Sequence, residues 1–228
     1  MNPVFPSILS TDFYDLADKL GRFKKGGIDF IHLDIMDGHF VDNLSFGPSV
    51  IRPLKERFSF NIDSHLMVSN PEKIIPYFIK AESDWISFHI EIEKGTRENI
   101  ELIRRSGKKP GLAINPDTEI STLYPYLPEI DYVLLMSVFP GYGGQKFIEE
   151  SVERAERLKE RIDSVNPGCL IQIDGGISAS NTGRLRKKGV DLFVMGTSLY
   201  NSENIEEEIM NILITLEGEK NEKAASSH

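Results

Sequence analysis

Phe30-Ile31-His32-Leu33-Asp34-Ile35-Met36-Asp37-Gly38 is the stretch from which the rest of the chain can be read. Its first seven residues are mostly apolar and β-branched or aromatic, which predicts a strand. Successive strand residues point to opposite faces, so His32, Asp34 and Met36 share one face and Ile31, Leu33 and Ile35 the other. An imidazole and a carboxylate two positions apart on a strand make half a metal site. The same stretch also fits a hydrogen-bonded core histidine with Asp34 capping the next helix. Both readings stand until the surroundings of the strand are known.

Outward from it, short apolar runs alternate with longer charged, amphipathic segments. The runs are 4–9, 30–35, 60–68, 85–90, 110–114, 132–136, 170–173 and 192–195. Helices are expected near 12–25, 48–57, 71–82, 97–106, 119–127, 149–163, 178–188 and 203–216. Strand–helix alternation predicts βαβ units and a parallel sheet. Three expected helices end in basic residues followed by Gly26, Gly107 or Gly189, as the helix dipole and a left-handed C′ residue favour. Asn70-Pro71-Glu72 reads as N-cap, first-position proline and first-turn acid. Eight such units predict a single-domain α/β chain folded as a (β/α)8 TIM barrel over 1–216; an open doubly wound sheet is the runner-up and usually has fewer strands. Residues 217–228 are polar and aperiodic and read as a solvated, disordered tail that includes His228.

Totals narrow the function. The chain has 228 residues, 40% hydrophobic and 27% charged, as in a soluble globular protein. A net charge of −9 disfavours nucleic-acid binding, although backbone amides can still bind a small anion. One cysteine, Cys169, excludes an intrachain disulfide and fits a reducing compartment. The start lacks a secretory signal pattern and no apolar run reaches the roughly 18 residues that span a bilayer, so a cytoplasmic protein without membrane contact is expected.

In a barrel, catalytic groups come from the C-terminal strand ends and the loops that follow. Those ends carry Ser7, His32 with Asp34, His65, His89, Asn115, Met136, Asp174 and Gly196. Four of the five histidines, His32, His39, His65 and His89, lie at or just after expected strands. His32, Asp34, His65 and Asp174 form a two-imidazole, two-carboxylate set from three strands, suited to one divalent Zn, Fe, Mn or Co ion. The competing assignment makes His65 a satisfied core histidine and Asp174 a helix-start residue; convergence on one rim favours the metal site. His39 is expected in the loop beside the pocket, His89 and Glu91 on its rim, and Asp37 with Gly38 in a turn. Met36, Met67 and Met136 fall at strand ends, where core packing and pocket lining are equally good readings.

Glycines cluster after strands six to eight: Gly141-Tyr142-Gly143-Gly144, Gly175-Gly176 and Gly196-Thr197-Ser198. Loops after strands seven and eight, with a short extra helix, are the usual phosphate site of this architecture. Tight turns alone would also explain the glycines.

Taken in order, Pro6-Ser7-Ile8-Leu9-Ser10, His32 to Gly38, Ser64-His65-Leu66-Met67, Pro140 to Gln145, Asp174-Gly175-Gly176-Ile177 and Gly196-Thr197-Ser198 resemble the ribulose-phosphate 3-epimerase family over about residues 3–215. The resemblance implies an isomerase of carbohydrate metabolism, in the pentose phosphate pathway. It would interconvert D-ribulose 5-phosphate and D-xylulose 5-phosphate through a metal-stabilised enediolate. It makes His32, Asp34, His65 and Asp174 the metal ligands, and Asp34 and Asp174 the acid/base pair. Ser7 and His65 become substrate contacts, and Gly141, Tyr142, Gly143, Gly144, Gly175, Gly176, Gly196 and Thr197 the phosphate-side contacts. A homo-oligomer is expected. Two departures stand at the pocket mouth: Phe139 precedes Pro140 where relatives often have a polar residue, and Asp42 replaces a usual proline. They keep open an epimerase for allulose 6-phosphate; a non-catalytic phosphate-binding barrel is the alternative from another class.

Overall fold

The computed structural model describes residues 1–92 and 94–226. Eight parallel strands form one sheet: β1 Val4–Pro6, β2 Phe30–Met36, β3 Asn61–Met67, β4 Trp85–His89, β5 Lys109–Ile114, β6 Tyr132–Met136, β7 Leu170–Asp174 and β8 Leu192–Met195. Each strand pairs with its sequence neighbour from β2 to β8, β1 pairs with β8, and a Ser7–His32 bridge joins β1 to β2. The result is a (β/α)8 barrel with its seam at the deciding strand. The helices are α1 Leu16–Lys25, α2 Ile51–Phe58, α3 Pro71–Lys80, α4 Thr96–Arg105, α5 Ser151–Val165, α6 Ala179–Lys187, α7 Thr197–Tyr200 and α8 Ile205–Ser226.

Period-two alternation separates two cores. Ile31, Leu33 and Ile35 of β2 face the helices, within one continuous buried cluster that includes Ile62, Ile86, Leu135, Ile171 and Phe193. Inside the barrel, the first inward positions of β2, β4, β6 and β8 are Phe30, Trp85, Tyr132 and Leu192. Alternate strands thus fill one layer, as expected of this architecture. Phe30 stacks on Phe5 with ring centroids 4.5 Å apart, and Trp85 lies 4.8 Å from Tyr132. The layer above holds Phe5, Asp63, Gly111 and Gln172. Gly111 is there because the Tyr132 ring covers it: a Cβ would meet ring atoms at 2.5–2.7 Å or closer. An apolar floor with a polar layer above directs every chemically useful side chain toward the C-terminal rim.

Several expectations change. The segment 119–127 forms two 3₁₀ turns, Ile120–Leu123 and Leu127–Glu129, and no α-helix. Pro125 and Pro128 remove donors and clash with preceding turns, and Ser121 and Thr122 compete for backbone groups. At the end of α1 the left-handed residue is Gly27 (φ +78), whereas Gly26 stays at φ −74. Gly107 (φ +77) and Gly189 (φ +96) take the expected conformation. Asn70 precedes α3 but makes no capping hydrogen bond with its side chain. The last helix continues through 217–226, where a tail is expected; Ile205, Ile209, Ile212 and Leu216 form its buried face over the first part. His228 lies outside the described residues. Among the described residues, no helix is long and apolar enough to cross a membrane.

Candidate active site

The residue pairing of β2 with β3 puts His32 beside Asp63 and Asp34 beside His65. β7 contributes Asp174 as its last residue, from across the barrel. These strands bring His32, Asp34, His65 and Asp174 together, with one ligand-type atom from each lying within 4.8 Å of all the others. Asp34 Oδ1 is 3.3 Å from His32 Nε2 and 3.2 Å from His65 Nδ1, and Asp174 Oδ2 is 3.9 Å from His32 Nε2. Ser7 Oγ donates to Asp34 Oδ2 at 2.6 Å.

Asp34 and Asp174 open onto a cavity of about 220 Å3, while His32 and His65 stand fully buried behind them. Its apolar wall includes Met36, Met67 and Met136, so the three methionines line the pocket. Its rim is made by Gly141 to Gly144, Gly175, Gly176, Gly196, Thr197 and Ser198. Gly175 and Gly176 have φ +118 and +64, a turn that a side chain would strain. A Cβ on Gly176 would also lie 2.6 Å from the Phe147 backbone nitrogen. The first N–H groups of α7 have no acceptor within the helix, and Gly196, Thr197 and Ser198 line the same cavity.

Charge is unevenly shared. Burial works against charge on His32, but Asp34 and Asp63 hold its pKa well above the usual imidazole range. Burial likewise opposes ionisation of Asp34, yet His32 and His65 keep its carboxyl well below the usual carboxylate range. Burial, reinforced by the charge of Asp34, pushes Asp174 up to about 7. Burial pushes His65 down to about 4. Two carboxylates in one pocket therefore differ in proton affinity, the usual basis for dividing acid and base roles.

The donor set fits a divalent cation on observation. His32 Nε2 is buried without a hydrogen bond and faces both aspartates. His32 Nδ1 meets Asp63 Oδ2 at 2.8 Å, the carboxylate–histidine arrangement that orients metal-binding imidazoles. Two imidazoles and two carboxylates suit Zn, Fe, Mn or Co and would release protons on binding it.

Not every residue falls where the sequence places it. His89, expected on the rim, is fully buried, and its Nε2 lies 2.9 Å from His65 Nε2. Its Nδ1 is 3.0 Å from Glu91 Oε2. Burial opposes ionisation of Glu91, but His89 and donors including the Asn115 N–H bring its pKa down to about 2. His39 is exposed, and its N–H and ring Nδ1 both meet Asp37. Asp37 is turn chemistry as expected, accepting from the N–H groups of His39, Phe40 and Ser69. Asp63 escapes the sequence reading although it stands two residues before His65 on the same strand face. It accepts from Tyr132 Oη at 2.9 Å and Gln172 Nε2 at 2.7 Å as well as meeting His32. The strand alternation that links His32 to Asp34 would have found it.

Residues 3–200 match the model of the Ribulose-phosphate 3 epimerase family. The chain is 43% identical over 206 residues to the ribulose-phosphate 3-epimerase of Aquifex aeolicus, covering 90% of this chain and 93% of that one. Identity to the Bacillus subtilis enzyme of the same name is 36% over 213 residues, covering 93% and 98%. For the Escherichia coli K12 enzyme it is 37% over 198 residues, covering 86% and 88%. With the barrel, the clustered imidazoles and aspartates and the glycine rim all in one chain, these matches extend over nearly its whole length, and the chain belongs to the ribulose-phosphate 3-epimerase family.

Proposed function

We propose that this chain interconverts D-ribulose 5-phosphate and D-xylulose 5-phosphate, with Asp34 and Asp174 as the proton-transferring pair. The observation that carries the reading is that both carboxylates enter one cavity from opposite parts of the barrel, β2 and β7, and sit against the same imidazoles. Inversion at C3 needs one group to remove a proton from one face and another to return a proton to the opposite face. Asp34 on β2 is the base in one direction and Asp174 on β7 the acid. Their roles exchange in the reverse reaction.

His32, Asp34, His65 and Asp174 would hold one divalent cation. When bound, it supplies charge stabilisation next to the reacting carbonyl and a template for the substrate oxygens. Ser7 fixes the Asp34 carboxylate, and the three methionines shield the reacting face from water. The amides around Gly176 and Thr197 anchor the phosphate, whose remote binding energy holds C3 between the aspartates. Phe139 is half exposed and does not line the cavity, so it gives no support to a six-carbon substrate.

Asp34→Asn tests the reading. The variant should fold, yet lose epimerisation and solvent-deuterium exchange at C3 by about 10²-fold or more, the usual contribution of a positioned base. Retained exchange would remove Asp34 from the mechanism. Chelation should abolish wild-type turnover, and adding back Zn²⁺, Fe²⁺ or Mn²⁺ separately should restore it; turnover unaffected by chelation would overturn the metal reading.

A further inference from the structure

We infer that Glu91, acting through His89, is a positioning residue for His65: it fixes which ring nitrogen His65 turns toward Asp34 and Asp174. The inference rests on the metal site proposed above. Glu91 Oε2 lies 3.0 Å from His89 Nδ1, and His89 Nε2 lies 2.9 Å from His65 Nε2. His65 Nδ1 in turn faces Asp34 Oδ1. A carboxylate can only accept, so Nδ1 of His89 carries a hydrogen. Two ring nitrogens 2.9 Å apart share one hydrogen, and with its own hydrogen on Nδ1 the His89 ring accepts at Nε2 from the Nε2–H of His65. That leaves Nδ1 of His65 without a hydrogen, so in this tautomer it does not donate to Asp34 Oδ1 and instead offers a lone pair for a cation between them.

Glu91 is itself braced. Its Oε1 accepts the Asn115 N–H at 2.8 Å. The Asn115 and Thr118 carbonyls are gripped by the guanidinium of Arg154 from α5, at 2.9 and 2.8 Å. Phe40 packs on the His89 ring at 4.5 Å between centroids. The two imidazoles of the cluster are thus held by opposite nitrogens. His32 is anchored through Nδ1 by Asp63 and offers Nε2, whereas His65 is anchored through Nε2 and offers Nδ1. Outer partners of this kind typically change metal affinity by about 10- to 100-fold.

Glu91→Gln keeps the shape but puts an amide NH2 where one of two carboxylate oxygens accepts. Zn²⁺ affinity, measured by competition with a chromophoric chelator, should fall about 10- to 100-fold. The visible absorption of the Co²⁺-loaded protein should change, while circular dichroism stays that of the wild type. His89→Gln, whose side-chain carbonyl can still accept from His65 Nε2–H, should retain more affinity than His89→Leu. Wild-type Zn²⁺ affinity and an unchanged Co²⁺ spectrum in Glu91→Gln would overturn the inference, as would equal affinities for His89→Gln and His89→Leu. Wild-type protein that takes up neither ion would instead overturn the metal site beneath it.

Discussion

Replacing Asp63 by Asn would test whether the buried layer beneath the site holds both the barrel and its chemistry. Asp63 is fully buried and meets three donors: His32 Nδ1 at 2.8 Å, Tyr132 Oη at 2.9 Å and Gln172 Nε2 at 2.7 Å. Hydrogen bonds to a charged group contribute about 1.5–3 kcal/mol and neutral ones about 0.5–1.5, so each bond weakens by roughly 1 kcal/mol in the amide. The Asn carbonyl can still serve His32 and Gln172, which share Oδ2, if its NH2 turns to Tyr132 and the hydroxyl accepts. The expected loss is about 2–3 kcal/mol, or about 5–10 °C in melting temperature for a chain of this size. Asp63→Ala strands all three donors at about 1–3 kcal/mol each and should be far less stable. Calorimetry gives the stabilities, and chelator competition should show Zn²⁺ affinity about 10-fold or more weaker in Asp63→Asn, since His32 loses its anionic partner. An Asp63→Asn protein that melts with the wild type and binds Zn²⁺ equally well would refute the assigned role.

Two further outcomes are expected. Gly176→Ala forces a side chain into φ +64 and against the Phe147 backbone, so the KM for the sugar phosphate should rise about tenfold (about 1.4 kcal/mol) with kcat less affected; unchanged KM would take this turn out of the phosphate cradle. Burial, with Asp131 and Asp191 nearby, pushes the Cys169 thiol up to about 12. At pH 8 about one thiol in 10⁴ would be ionised, so a thiol-specific disulfide reagent should react only after denaturation. Fast labelling of native protein would contradict this.

The alternation of apolar runs with amphipathic segments made the barrel legible, because each strand faces the helices with residues such as Ile31, Leu33 and Ile35. The rim rule then selected His32, Asp34, His65 and Asp174, which do converge. The readings that needed revision depended on something outside periodicity. Pro125 and Pro128 stand where a helix is expected near 119–127 and two 3₁₀ turns form instead. His89 ends β4 and reads as rim from the chain alone; the contact that places it inward, with His65, is made across the sheet. Alternation along β3 places Asp63 on the face of His65, but what it binds is set by Tyr132 and Gln172, 69 and 109 positions away.

The seam of the barrel gives the site a history as well as a place. His32, Asp34 and His65 come from β2 and β3, adjacent in sequence and joined by seven paired positions, so three donors can meet once the first third of the chain has folded. Ser7 can join them through its bridge to His32, whereas Asp174 arrives only with β7, late in the chain. The four-donor set is therefore complete only when the ring closes, so a chain truncated before β7 would lack one of its two carboxylates.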